Sequence, residues 1–178
     1  MARVGLAFDP APDRPPVDRI VPIGKEHLAG FHSALDRIAR ERRYLALLEA
    51  PPLVKTRRLV LDSLRNGAVH VVALAGRDVV GWCDLRPKSA ATQRHSAVLG
   101  MGVVAEYRGQ GLGARLLAAT LELGDARGFT RTELVVRADN APAIGLYRRF
   151  GFEVEGTCQR YLTIDGIDHD VLLMARLV

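Results

Sequence analysis

The chain has 178 residues, of which 48% are hydrophobic and 25% are charged, a balance that excludes a disordered chain, a collagen-like repeat and a disulfide mini-protein. That length suits one domain with a substantial core, and no apolar run approaches the ~18–20 residues of a membrane span. The formal net charge is +5. Because arginines alternate with acidic residues, as in Glu41-Arg42-Arg43, we expect solvated faces and neither a nucleic-acid nor a membrane partner.

The N-terminal part of the chain predicts a tail, a strand and two helices. Residues 1–17 are rich in proline and alanine, which favours an extended tail ahead of a single domain over residues 18–178. Apolar residues recur every three or four positions from 25 to 48, and the two prolines that follow must end that helix. The predicted elements of this part are a strand over 18–23 and helices over 25–48 and 53–64.

The remaining chain has the periodicity of strands, interrupted by two helices. Gly76-Arg77-Asp78 marks a tight hairpin, and a stripe of leucines and alanines marks the longer helix. The predicted elements are strands over 69–75, 79–85 and 96–104, a helix over 111–127, a strand over 131–137, a helix over 140–150 and strands over 152–164 and 167–177. The order β-α-α-β-β-β-α-β-α-β-β predicts one α/β domain with a mixed, mostly antiparallel sheet, in which the crossover from 96 to 137 joins parallel strands.

The cysteines and histidines form no pattern of a metal site or a catalytic nucleophile. Cys83 and Cys158 stand far apart without a CxxC pair, and no HExxH motif is present, so we predict no metal site. No GxSxG motif is present either, which argues against a covalent serine nucleophile. Two isolated thiols fit a reducing compartment, and we expect the protein in the cytoplasm.

The most informative segment lies where a predicted strand passes into the helix over 111–127. Glycines at 109, 111 and 113 let the backbone approach a ligand closely, and Arg108 adds a full positive charge. The start of a helix offers unpaired N–H groups, so the segment predicts a site for a phosphate or diphosphate. Its spacing matches neither a P-loop nor the GxGxxG fingerprint. A turn that only reverses the chain is the alternative.

A second motif, Asn-x-x-Ala-x-x-x-Tyr-x-x-x-Gly-Phe, follows the next strand from Asn140 to Phe152. Together with Arg-x-x-Gly-x-Gly at 108–113 and the element order from 18 to 177, it resembles the GNAT superfamily of N-acetyltransferases. The resemblance implies a GNAT-like sheet splayed between strands 96–104 and 131–137. It implies acetyl transfer from acetyl-CoA to a primary amine of a small molecule or peptide by direct attack. A non-catalytic domain that senses acyl-CoA is the alternative.

The resemblance also assigns residues to the acetyl donor. The strand end at 101–103 would pair with the pantetheine arm, Gly100 and Gly102 would permit a bulge that splays it, and the glycine turn would hold the diphosphate. Tyr147 would protonate the leaving thiolate, or it is simply a core residue. Asn140 would cap the helix and also contact the donor. The implied donor-binding residues are Met101, Gly102, Val103, Arg108, Gly109, Gln110, Gly111, Leu112, Gly113, Asn140 and Tyr147.

The acceptor side departs from the pattern of many small-amine members of the superfamily. Those members carry a glutamate on the strand before the pantetheine segment, where this chain has Ser96-Ala97-Val98-Leu99-Gly100. The proton acceptor for the amine therefore stays open among Glu41, Glu49, Asp84, His95 and Glu106. We expect the acceptor pocket to involve Glu49, Trp82 and Asp84. The closing strands offer an edge that suggests a homodimer.

Overall fold

The computed structural model describes residues 15–178, so most of the predicted tail over 1–17 lies outside the described residues. The strands are β1 (Arg19–Pro22), β2 (Val69–Ala75), β3 (Asp78–Pro87), β4 (Ser96–Val103), β5 (Arg131–Arg137), β6 (Glu153–Ile164) and β7 (Ile167–Leu177). The helices are α1 (Leu28–Arg40), α2 (Leu53–Arg65), α3 (Leu112–Ala126) and α4 (Ala141–Arg149). The seven strands form one sheet in the order β1-β2-β3-β4-β5-β7-β6. Within residues 15–178, no helix combines the length and apolarity needed to cross a membrane.

The first helix is shorter than predicted. It ends at Arg40, and a loop over 41–52 replaces the expected continuation to residue 48. Arg42 adopts a left-handed φ of 52°, which an α-helix cannot accommodate. The loop then returns along α1, where the Asp36 carboxylate accepts a hydrogen bond from the Ala50 N–H at 2.9 Å. The prediction of a helix to 48 was wrong because tertiary hydrogen bonds stabilise the return of the chain.

Strands β4 and β5 part after three residue pairs. They are the parallel neighbours of the sheet, and their register runs only from Ser96 opposite Arg131 to Val98 opposite Glu133. Both strands continue beyond that point, so their carboxyl-terminal halves enclose a V-shaped gap. This confirms the predicted parallel crossover and the predicted splay.

The splay does not come from a bulge in β4. The ladder between β3 and β4 runs without a register shift from Gly81 opposite Val103 to Pro87 opposite Ala97. The expected bulge at the glycines of β4 is therefore wrong, and the gap arises because β5 leaves β4 to follow β7.

Helices cover the two faces of the sheet, and alternate residues of β3 face each of them. On the α1 face, the ring of Phe31 lies edge-on to the rings of His70 and Trp82, with centroids 4.8 Å and 5.3 Å apart. On the α3 face, Leu85 packs directly against Gly124 of α3. The sheet therefore separates a compartment beneath α1 from one beneath α3.

Two glycines of β4 make room for large side chains of β3 on the α1 face. Trp82 lies opposite Gly102, and Asp84 lies opposite Gly100. A Cβ atom at Gly102 would overlap the indole ring of Trp82, and one at Gly100 would lie 2.8 Å from Asp84 Oδ1. Because Gly100 and Gly102 have no side chains, the Asp84 carboxylate and the Trp82 indole pack directly against the backbone of β4.

We predict that Gly102→Ala lowers the free energy of unfolding by about 1–3 kcal/mol, because the added methyl group overlaps Trp82. Gly145→Ala is the matched control, since a Cβ at Gly145 meets no atom within 4 Å and alanine favours the helix by up to ~1 kcal/mol. Urea denaturation of the two variants measures the difference. Equal stability of both variants would contradict the packing argument.

Candidate active site

The turn between β4 and α3 presents main-chain N–H groups to the outside. Gly109 and Gly111 have left-handed φ values of 73° and 78°, which side-chain-bearing residues adopt only at a cost. Among the described residues, the N–H groups of 109–114 have no protein acceptor, and the start of α3 adds a partial positive charge. The turn can therefore hold an anionic group such as a diphosphate.

Leu112 and Gly113 anchor this turn to its neighbours. Leu112 is buried, and a Cβ at Gly113 would lie 3.3 Å from Leu146 of α4 and 3.5 Å from Met101 of β4. The third glycine therefore permits close packing of α3 against β4 and α4, in addition to the two glycines that shape the backbone.

The Arg108 side chain is engaged by the protein itself. Its Nε donates to the Val103 carbonyl at 2.7 Å, and its two terminal nitrogens donate to the Glu41 carboxylate at 2.7 Å and 2.8 Å. Its guanidinium group also lies over the Tyr44 ring, 4.9 Å from the centroid. The side chain thus joins the end of β4 to the loop after α1.

Strand β4 borders the gap with a backbone edge that no strand covers. Beyond Val98, its only strand partner within residues 15–178 is β3. Met101, Gly102 and Val103, which were predicted to pair with the pantetheine arm, lie half-buried on this part of β4. An extended chain entering the gap would find free main-chain groups there.

Asp84 is a buried carboxylate beside the gap. Only 7% of the residue is exposed, and burial raises the pKa of its carboxyl group to about 6 against the opposing effects of Arg86 and Trp82. Arg86 Nε lies 3.2 Å from Asp84 Oδ2 and extends outward. Because Asp84 faces Gly100, two residues past the last β4–β5 pair, it lies where the strands begin to separate. A carboxylate that titrates near neutrality suits a general base.

His70 is a buried residue of the site that sequence reasoning missed. It lies opposite Asp84 in the β2–β3 register, and its Nε2 has no hydrogen-bond partner among the described residues. Burial and the charge of Arg86 lower the pKa of the imidazole to about 4. A neutral imidazole therefore lies next to Asp84. No spacing motif marks it, and only its place in a continuous buried strand could have indicated it.

Tyr147 and Asn140 lie on α4 and at its start. Tyr147 is 7% exposed, and burial raises the pKa of its phenol well above 10, with a further contribution from Cys83 on the α3 face. Asn140 Oδ1 accepts a hydrogen bond from the Ala143 N–H at 3.3 Å, which confirms the predicted N-cap. Contact of either residue with the acetyl donor stays a prediction.

The other candidate proton acceptors lie in different surroundings. Glu49 is exposed and pairs with Arg40 at 3.1 Å, and Glu106 pairs with Arg37 at 2.6 Å. His95 is exposed, and Glu41 binds Arg108 as described. The structure brings Trp82 and Asp84 together beneath α1 and does not bring Glu49 to them. Among the candidates, Asp84 is the buried one.

The described residues contain no cluster of three or more His, Cys, Asp or Glu side chains that could hold a metal ion. Cys83 is fully buried, and burial raises the pKa of its thiol well above the usual range. That thiol is therefore not activated as a nucleophile.

A turn that can hold a diphosphate lies beside a gap between parting strands, which is the arrangement that the resemblance to the GNAT superfamily implies. The model of the acetyltransferase (GNAT) family matches residues 33–152. The L-amino acid N-acetyltransferase AaaT of Escherichia coli strain K12 is 34% identical over 114 residues, covering 64% of this chain and 70% of that protein. Two other relatives are matched over 50% and 61% of their length.

Solved structures show the same fold. The ribosomal-protein-alanine N-acetyltransferase of Brucella melitensis has a TM-score of 0.84 and 25% identity, covering 90% of this chain and 99% of that one. YncA of Salmonella typhimurium, a putative acetyltransferase solved with its cofactor acetyl-CoA, has a TM-score of 0.83 and 17% identity, covering 89% and 92%.

The chain belongs to the acetyltransferase (GNAT) family. The match covers the glycine turn and the motif that contains Tyr147. This confirms the predicted family, the predicted fold and acetyl transfer from acetyl-CoA as the class of reaction. Because the relatives are named acetyltransferases, the alternative of a non-catalytic sensor is not favoured.

We predict that Asp84→Asn stabilises the protein above pH 6. Folding raises the pKa of this carboxyl group from 3.8 to about 6, so the free energy of unfolding of the wild type falls as the pH rises between these two values. Asparagine does not ionise, so the variant avoids this fall and should have a free energy of unfolding higher by on the order of 2 kcal/mol. Denaturation at pH 4 and pH 8 measures the gain, with the exposed Asp62→Asn as control. If Asp84→Asn and the wild type have the same free energy of unfolding at pH 8, the ionised Asp84 carboxylate does not destabilise the folded protein and the prediction is contradicted.

Proposed function

We propose that this protein acetylates the primary amine of an amino acid or a peptide, and that Asp84 is the residue that accepts the amine proton. The observation that carries the proposal is the position of the Asp84 carboxylate, buried against Gly100 at the start of the gap. The amine would enter from the α1 face, and the donor would bind from the α3 side.

The donor fits the residues that the turn and the gap present. The N–H groups over 109–113 would hold the diphosphate, and the free edge of β4 at Met101, Gly102 and Val103 would pair with the pantetheine arm. Asn140 and Tyr147 would contact the donor from α4. When bound, acetyl-CoA supplies a thioester whose carbonyl carbon is open to attack.

Residues of this chain accept the amine proton and donate a hydrogen bond to the leaving group in this transfer. Asp84 takes the proton that the amine loses as its nitrogen bonds to the acetyl carbon, and the bond from that carbon to sulfur breaks. The half-exposed guanidinium of Arg86, 3.2 Å from Asp84 Oδ2, stabilises the ionised carboxylate that accepts this proton. Tyr147 stays protonated because its pKa is raised, so it can donate a hydrogen bond to the departing sulfur from the opposite side of the sheet.

The surroundings of Asp84 support a small amine that attacks in its neutral form. Trp82, which packs on Gly102, forms an apolar wall next to the carboxylate, which packs on Gly100. Two relatives are named for acceptors of this kind, an L-amino acid for AaaT and a ribosomal-protein alanine for the Brucella enzyme. A homodimer and a cytoplasmic location remain predictions.

We predict that Gln110→Glu weakens coenzyme A binding by about tenfold, because a carboxylate on the turn repels the diphosphate. The exposed Gln93→Glu, on the connection before β4, is the control with the same change of charge. Isothermal titration calorimetry with coenzyme A gives both dissociation constants. If the two variants bind equally well, the diphosphate does not occupy this turn.

We predict that thiol release from acetyl-CoA in the presence of amino acids and peptides depends on Asp84 and Tyr147. The kcat/KM of the wild type, calculated on the concentration of unprotonated amine, should rise with pH to a plateau with an apparent pKa near 6, because Asp84 must be deprotonated. Asp84→Asn should lower kcat about 100-fold or more, and Tyr147→Phe should lower it with coenzyme A binding unchanged.

The kcat values of the two variants test the two residues separately. An Asp84→Asn enzyme with wild-type kcat would remove Asp84 from the mechanism, and a Tyr147→Phe enzyme with wild-type kcat would leave Tyr147 as a core residue. A wild type that releases no thiol with any amine would refute the proposed acceptor class.

A further inference from the structure

Two consecutive residues after α1 form ion pairs with two different turns of the protein. Glu41 accepts two hydrogen bonds, of 2.7 Å and 2.8 Å, from Arg108 at the turn between β4 and α3, which we call the cofactor turn. Arg42 binds Asp165, in the turn between β6 and β7, through both oxygens of its carboxylate, with Nε to Oδ2 at 2.9 Å. We call these two paired contacts the Glu41–Arg42 clasp.

The clasp adds polar contacts to a loop that has few apolar ones. Leu47 and Leu48 are each 41% exposed, and Leu45 is the leucine of the loop that packs against the core. Paired guanidinium–carboxylate bonds define an orientation as well as a distance. Tyr44 adds a second constraint, because its ring lies between Arg43 and Arg108, 5.3 Å and 4.9 Å from their guanidinium carbons.

The clasp places the loop beside the site. Arg43 and Tyr44 line a depression together with Asp139, Asn140 and Pro142 at the start of α4. The loop therefore bridges the cofactor turn, the α4 end of the gap and the β6–β7 turn. The loop also directly follows α1, the helix that packs over Trp82 beside Asp84, so it borders the face from which we propose that the amine enters.

We propose that the Arg108 side chain is a positioning residue for the acceptor and not a ligand of the diphosphate. Its Nε and both terminal nitrogens already donate to Val103 and Glu41, whereas the N–H groups of 109–114 have no protein acceptor within residues 15–178. The main chain of the turn binds the anion, and the side chain holds the loop that shapes acceptor entry. This inference rests on the proposed function.

The closing experiment compares acceptor kinetics with coenzyme A affinity in Glu41→Gln, Arg108→Gln and the double variant. Each single variant should raise the acceptor KM about tenfold, with kcat and the coenzyme A dissociation constant changed by less than about twofold. The double variant should be no worse than either single variant, because both remove the same contact. Asp62→Asn, an exposed pair on α2, is the control and should change none of these values.

The other half of the clasp permits a test by rescue. Arg42→Asp and Asp165→Arg should each raise the acceptor KM, and the two together should restore it to within about threefold of the wild type. Residues 42 and 165 both have a φ of 52°. The wild type therefore already places an arginine and an aspartate in this backbone conformation, and exchanging them adds no new type of strain. A purely structural loss of folding would not be repaired by exchanging the charges.

Each contrary result has a distinct meaning. If Arg108→Gln weakens coenzyme A binding tenfold while Glu41→Gln does not, Arg108 is a diphosphate ligand and the inference fails. If Glu41→Gln leaves the acceptor KM unchanged, the clasp does not shape acceptor entry. Wild-type thiol release is measured first, so a failure of the proposed function is seen before any variant is compared.

Discussion

The structure of this protein depends on the separation of two parallel strands. β4 and β5 pair at only three positions, and beyond them each strand follows its other neighbour, β3 or β7. Within residues 15–178, the separation leaves one edge of β4 without a strand partner in the interior of a sheet, where uncovered main-chain groups are costly. A ligand that pairs with this edge, as we propose for the pantetheine arm, would satisfy those groups.

The gap also joins two compartments with different chemistry. On the α1 face, Asp84 and His70 lie opposite each other, and burial disfavours the charged form of both. On the α3 face, burial keeps the phenol of Tyr147 protonated. The proposed proton acceptor and the proposed hydrogen-bond donor therefore lie on opposite sides of the sheet. The burial of Asp84 costs stability, a common feature of functional carboxylates.

Glycines and arginines make this arrangement possible by different means. Gly100 and Gly102 bring Asp84 and Trp82 against the backbone of β4 because a Cβ at either position would collide with them. Gly109 and Gly111 shape the turn through their positive φ angles. Arg108 links that turn to the loop after α1. The glycine turn, the end of β4 and the loop after α1 are therefore parts of one connected unit.

The local sequence determined the elements, the parallel crossover, the glycine turn and the N-cap of α4, because periodicity, glycine conformation and capping act over a few residues. Tertiary structure alone decided three features. α1 ends at Arg40, and the chain turns back so that the Ala50 N–H donates a hydrogen bond to the Asp36 carboxylate. The guanidinium of Arg108 meets Glu41, 67 residues away in the chain. Asp84, one of several candidate carboxylates, is buried beside the gap with His70 because strand register brings distant residues together.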